Sequence, residues 1–142
     1  MPIEPYIFFN GRCDEAIAFY EQAAGAQVEM LLRYQEQPEN CPEGPMPPDW
    51  KGKVMHASLN IHGARVMMSD GNTAEAPAFR GFALALTVAD EATAGSVFTA
   101  LAEGGHILMP LGKTFWSPCF GMVTDRFGIL WQVTIPGEGH PE

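Results

Sequence analysis

"FGMVTDRFGILWQV" (residues 120–133) lies on "MHASLNIHGARVMM" (55–68) without a gap. Gly128 then stands opposite Gly63, and Gln132 opposite Met67. Each copy alternates apolar and polar residues on both sides of a short turn, as two strands of a hairpin do. In the later copy Ile129, Trp131, Val133 and Ile135 share one face, and Leu130, Gln132 and Thr134 the other. Asp125 fixes the turn before them. In the earlier copy Met55, Ala57, Leu59 and Ile61 share a face, and Val54, His56, Ser58 and Asn60 the opposite one. His62 and Gly63 form its turn, and residues 64–70 the returning strand.

What precedes each hairpin repeats as well. Residues 3–9 read as a strand, and 13–25 as a helix on which Ala16, Ile17, Tyr20, Ala23 and Ala24 recur at helical spacing. Gly25 stops that helix. Residues 26–34 are strand-like, with Val28, Met30, Leu32 and Tyr34 on one face. In the second half, 82–88 is apolar at nearly every position, which predicts a strand covered on both faces. A helix over 89–105, a short strand over 106–110, a connection at 111–119 and a strand at 120–124 follow. The chain is thus α+β, two βαβββ modules of approximately 1–80 and 81–136 with a short tail, 137–142. Neither module buries much surface alone, so the two share one domain. Between strands, 35–53 is a long loop with five prolines, and loops of that length are more often functional or mobile than neutral.

At 142 residues, 46% of them hydrophobic, the chain carries enough apolar surface for a core and too much for disorder. Its net charge of −9 and scattered basic residues leave no stripe to track a phosphate backbone, which argues against nucleic acid and anionic membrane. The first residues lack the basic and apolar regions of a signal peptide, and no stretch has the length of a membrane span. Cys13, Cys41 and Cys119 are far apart and odd in number, which predicts reduced thiols in a cytoplasmic protein. Cys119 would be a nucleophile only with a base beside it; otherwise it is a buried thiol.

"PYIFFNG" (5–11), "ENCPEG" (39–44), "MMSD" (67–70) and the ending FWxxxFGxxxDxFGxxW (115–131), set on paired βαβββ modules, resemble the PhnB-like branch of the vicinal-oxygen-chelate superfamily. That superfamily includes glyoxalase I, bleomycin-resistance proteins, extradiol dioxygenases and fosfomycin-resistance enzymes. The resemblance covers nearly the whole chain and implies curled mixed sheets and a homodimer. In metal-dependent members His, Glu or Gln ligands come from strands one, four, five and eight. Carried over, those positions fall on Glu4 or Pro5, Met67, Ala83 and Gln132. One amide and one carboxylate make a poor site for zinc, nickel or iron, so no metal or other cofactor is expected. Branch members are sometimes labelled demethylubiquinone methyltransferases, but no glycine-rich strand–turn–helix loop is present to hold a nucleoside cofactor.

Several side chains remain as ligand-binding candidates. His56 is either a hydrogen-bonding or acid–base group inside the sheet or a partly exposed sheet histidine; no carboxylate lies near it in sequence. His62, in a turn, and His140, in the tail, read as solvated, and His106 begins a short strand with no visible partner. Ser69 and Asp70 end a strand, and Asp70 with Gly71 is either a turn pair or a contact at the sheet mouth. Phe115, Trp116 and Phe120 cap a pocket, pack at an interface or fill core, whereas Trp131 belongs to the core face. Met67 and the other methionines suit either an apolar cavity or irregular core gaps. The favoured expectation is a metal-independent protein that binds a small molecule in its curled sheets, using Gln132, His56 and Asp70 as polar contacts. The alternatives are a glyoxalase-type lyase, isomerase or dioxygenase with a depleted or partner-supplied metal, and a structural or regulatory dimer.

Overall fold

The protein is described by a computed structural model over residues 2–37 and 46–137. Cys41, His140 and the "ENCPEG" motif lie outside the described residues. The chain divides into two compact units between Pro77 and Ala78.

The first unit runs β1 (Tyr6–Phe8), α1 (Cys13–Ala24), β2 (Gln27–Arg33), a 3-10 turn (Tyr34–Glu36), β3 (Val54–Ile61) and β4 (Ala64–Ser69). Its four strands lie in the order β1-β4-β3-β2, with β1 parallel to β4 and the other pairs antiparallel. The second unit repeats the plan with β5 (Leu84–Thr87), α2 (Glu91–Ala102), β6 (His106–Gly112), β7 (Cys119–Thr124) and β8 (Leu130–Ile135), ordered β5-β8-β7-β6. These are the two curled, mixed sheets expected of paired βαβββ modules.

Period-2 patterning sets which face is buried. In the first unit Ile7, Ala57, Leu59, Ile61, Val66 and Met68 are buried, as are Ala16, Ile17, Tyr20, Ala23 and Ala24 of α1. Burying a side chain such as Leu59 or Met68 contributes roughly 1.5–3 kcal/mol. In the second unit Leu86, Val123, Ile129, Trp131, Val133 and Ile135 are buried, together with Ala94, Val97, Phe98 and Leu101 of α2. Gly121 lies in that buried stretch of β7, where an added Cβ would come within 2.7 Å of the Phe98 ring. Its missing side chain lets α2 approach the sheet.

Turn chemistry closes the elements where the sequence places it. Gly25 ends α1 in the left-handed conformation at φ 66, with its N–H donated to the Tyr20 carbonyl. His62 and Gly63 both have positive φ, 50 and 89, as a two-residue hairpin turn requires. Asp90 caps α2, its carboxylate accepting the Thr93 N–H at 2.7 Å.

Several expectations need correction. β1 is shorter than residues 3–9, and Ile3 is fully exposed. β5 is shorter than 82–88 and buries only one face: Leu86 is buried, whereas Ala85 and Thr87 are exposed. The reason is topological. β5 is an edge strand paired only with β8, and an apolar run does not reveal which strands are edges. β6 extends past 110 to Gly112, so the connection to β7 shortens. Pro110 is tolerated there because β6 is also an edge.

Candidate functional site

The face of the first sheet turned away from its buried face carries the candidate site of that module. Register aligns Tyr6 with Met67, Met67 with Ser58 and Ser58 with Met30 across four strands. The next row sets Phe8 beside Ser69 and His56 beside Leu32. Tyr6, Phe8, Met30 and Leu32 are 41%, 49%, 50% and 37% exposed, an unusual concentration of open apolar side chains on one sheet face. Met67 is half-buried among them.

Polar groups interrupt this face at two places. The Tyr6 hydroxyl lies 3.0 Å from Nδ1 of His56, with the rings 5.6 Å apart. Burial pushes the Tyr6 phenol above its usual range, while the Ser69 hydroxyl pulls it partly back. At the other end of the face the Glu4 carboxylate approaches the Arg65 guanidinium at 3.8 Å. Tyr6 is the functional candidate that sequence reasoning missed. Its signal is weak: one tyrosine in a three-residue strand, whose partner histidine is reached only through the parallel pairing of β1 with β4.

Asp70 points elsewhere. It is fully buried, and its Oδ1 accepts the N–H groups of Gly11 and Cys13 at 2.8 Å each, while Oδ2 accepts that of Val54 at 2.9 Å. Arg12 offers α1 no side-chain cap, so Asp70 caps the helix from across the module. Ser69 is buried beside it and accepts the Gly71 N–H at 2.9 Å. The Gly71 carbonyl in turn accepts from Trp50 Nε1 and the Tyr34 hydroxyl, both at 2.7 Å, which ties the end of the long loop to this corner.

In the second sheet Gln132 lies between Ala85 of β5 and Met122 of β7, with Met109 of β6 beyond. It is half-buried, and among the described residues its amide makes no side-chain hydrogen bond. Ala83 precedes β5 on the same face as Ala85 and brings no donor atom. Phe120 is buried and packs edge-on against Trp116, which packs against Phe115, with ring centroids 5.3 and 4.8 Å apart. Phe115 itself is 95% exposed. Ser117, buried in the same connection, donates to a β8 carbonyl and accepts the Cys119 N–H, which fixes the connection.

Cys119 is not poised as a nucleophile. Burial and, secondarily, the Glu91 charge push its thiol up, and burial does the same to Cys13, where Asp70 adds to it. His62 and His106 are exposed. Asp125 is buried and accepts the N–H groups of Phe127 and Ile129 and the Trp131 indole, so it holds the turn into β8. Among the described residues no three His, Cys, Asp or Glu side chains converge as a metal site. Of the positions that the resemblance assigns to metal ligands, Glu4 faces Arg65, the Pro5 carbonyl accepts the Met67 N–H, and Met67, Ala83 and Gln132 offer a thioether, no donor and a neutral amide. That donor set does not fit zinc, nickel or iron. No helix among the described residues is long and apolar enough to cross a membrane.

Comparison with known proteins agrees with this architecture. Residues 2–134 match the family model described as 3-demethylubiquinone-9 3-methyltransferase. Protein YjdN of Escherichia coli is 36% identical over 142 residues, covering 95% of this chain and 95% of that protein. The crystal structure of protein PA1353 from Pseudomonas aeruginosa superposes with a TM-score of 0.81 at 42% identity, covering 96% and 98% of the two chains. The PhnB protein from Bacillus cereus gives 0.76 at 31% identity, covering 95% and 99%. A glyoxylase/bleomycin resistance protein/dioxygenase domain from Frankia shares the fold, with a TM-score of 0.64 at 15% identity.

Proposed function

Because the chain belongs to the PhnB-like family, whose model is described as 3-demethylubiquinone-9 3-methyltransferase, and carries the glyoxalase/bleomycin-resistance fold, we propose that it is a metal-independent small-molecule binding protein. One observation carries this reading. The open face of the first sheet gathers Tyr6, Phe8, Met30 and Leu32 around His56, whose Nδ1 is engaged and whose Nε2 has no partner among the described residues. Large apolar side chains around a few aimed polar groups are what small-molecule sites use. Gln132, between Ala85 and Met122, is the corresponding polar contact of the second sheet.

Methyl transfer has no support in this geometry. A nucleoside donor is usually held where a strand turns into a helix, with free N–H groups at the helix start. Here the N–H groups of Gly11 and Cys13 at the start of α1 are already taken by Asp70. The donor chemistry at Glu4, Met67, Ala83 and Gln132 likewise argues against a metal-dependent lyase, isomerase or dioxygenase.

The test is a thermal-shift screen of aromatic and quinone-like compounds, paired with metal analysis of the purified protein. A ligand at about a hundredfold excess over its Kd stabilises the native state by about 2.7 kcal/mol, a rise in Tm that is easily read. We expect such a rise, smaller in His56→Ala, and metal content well below one ion per chain. Stoichiometric zinc, nickel or iron together with hemithioacetal turnover would overturn the reading, and a broad screen without any stabilisation would favour a structural role.

We further propose that the chain acts as a homodimer. Ile107, Leu108 and Met109 of edge strand β6 are 49%, 52% and 41% exposed, so both faces of that strand present apolar surface. Light scattering should give the mass of two chains; a monomer at micromolar concentration would refute it.

A further inference from the structure

We propose that Tyr6 holds His56 as its Nε2–H tautomer, so that the apolar part of the open face of the first sheet presents an aimed N–H donor and selects apolar ligands bearing a carbonyl-type oxygen. The inference rests on the binding function above and adds the ligand chemistry that the site would recognise.

The direction of the hydrogen bond decides the tautomer. Tyr6 Oη and His56 Nδ1 are 3.0 Å apart, so one proton lies between them. A phenol is a stronger acid than the N–H of a neutral imidazole, and the bare imidazole nitrogen is a stronger base than a phenol oxygen. The proton therefore sits on Tyr6, the lone pair on Nδ1, and the imidazole's own proton on Nε2. Ser69 lies next to the pair but is held by the backbone. Its Oγ accepts the Gly71 N–H at 2.9 Å, and its hydroxyl donates to the Val54 carbonyl at 3.4 Å. A phenol carries its proton at neutral pH, and burial takes Tyr6 further from losing it.

The surroundings give that outward N–H its meaning. Leu32 is the cross-strand neighbour of His56, and Met30 and Phe8 lie on the same face; none of them carries a donor. Ser58, next to Met30, is buried, and Asn60 lies farther along β3, where its side-chain oxygen accepts the Gly63 N–H. Arg65, the charged donor of this face, is engaged by Glu4 at 3.8 Å at the far end. A wholly apolar ligand would leave Nε2–H desolvated and unpaired, which costs more than the hydrogen bond gains. A ligand of the same shape with an oxygen acceptor satisfies it.

Two measurements test this on the full-length protein. Nitrogen NMR of 15N-His-labelled protein at mildly alkaline pH should show Nδ1 as the bare nitrogen and Nε2 as the protonated one. Tyr6→Phe, which keeps the ring and removes only the hydroxyl, should mix the two tautomers. A merely structural role for Tyr6 would leave the spectrum unchanged, and a protonated Nδ1 in the wild type overturns the proposal. The ligand arm compares 2-acetylnaphthalene with 2-isopropylnaphthalene, alike in shape but differing in the acceptor. The ketone should bind wild type about tenfold more tightly, with the preference reduced in Tyr6→Phe and lost in His56→Leu. Equal binding of both probes overturns the donor while leaving the binding function standing. Binding of neither counts against the binding function itself, and the ligand preference falls with it.

Discussion

Asp70→Ala should cost the protein about 4 kcal/mol in denaturant unfolding, among the largest losses expected for any single substitution here. Three backbone N–H groups, those of Gly11, Cys13 and Val54, converge on its carboxylate at 2.8, 2.8 and 2.9 Å, and the side chain is fully buried. Alanine leaves all three donors in a space that water enters poorly, and each buried unsatisfied donor costs roughly 1–3 kcal/mol. Partial relaxation brings the total below the sum. Asp70→Asn should lose about 2 kcal/mol, because its NH2 group must face one of the same donors. The carboxylate joins the start of α1, the start of β3 and the end of β4, and the Asp70 N–H closes the corner by donating to the Val54 carbonyl at 2.8 Å. Val54 begins the strand that carries His56, so the Ala variant should also blur the ligand face that His56 lines. A loss under about 1 kcal/mol at unchanged m-value would mean that the knot is dispensable.

How far the sequence reaches can be judged from these same residues. Alternation along β3, β4, β7 and β8 assigns their buried faces, because a period of two leaves no other register for Leu59, Met68, Trp131 and Val133. The gapless repeat also places Met67 and Gln132 alike: each lies between an outer strand and a middle strand of its own sheet. Long-range pairing is what local pattern lacks. His56 looked partnerless because its partner Tyr6 is 50 positions away and arrives through a parallel pairing that no turn signal announces. Asp70 read equally well as a turn residue, since the pair Asp70 and Gly71 favours a turn wherever its carboxylate points. The inward direction is set by the unpaired N–H groups at the start of α1, which lie 57 and 59 positions away. The open apolar faces of β2 and β6 were hidden for a related reason, because composition does not distinguish an edge strand from a central one.

Gly105→Ala should cost about 3 kcal/mol, against about 1–2 for Gly25→Ala, and the difference separates two reasons for keeping a glycine. Gly25 has φ 66 and open space around it, so alanine there bears only the strain of the left-handed conformation. Gly105 is constrained by its neighbours. A Cβ there would overlap the Thr124 carbonyl oxygen and lie 2.9 Å from the Asp125 Cα. That backbone cannot readily retreat. The Asp125 N–H donates to the Ile129 carbonyl at 2.9 Å, and its carboxylate holds Phe127, Ile129 and the Trp131 indole at 2.9, 3.1 and 2.9 Å. The strand that must give is therefore β6, whose first residue, His106, pairs with Thr124. Displacing β6 moves Met109 away from Met122, the residue that flanks Gln132. Gly105→Ala should therefore weaken ligand binding at the second sheet as well as stability, whereas Gly25→Ala should lower stability alone. Equal stability losses in the two variants, measured by denaturant unfolding, would show that the Thr124 backbone yields and that this close approach is not a constraint.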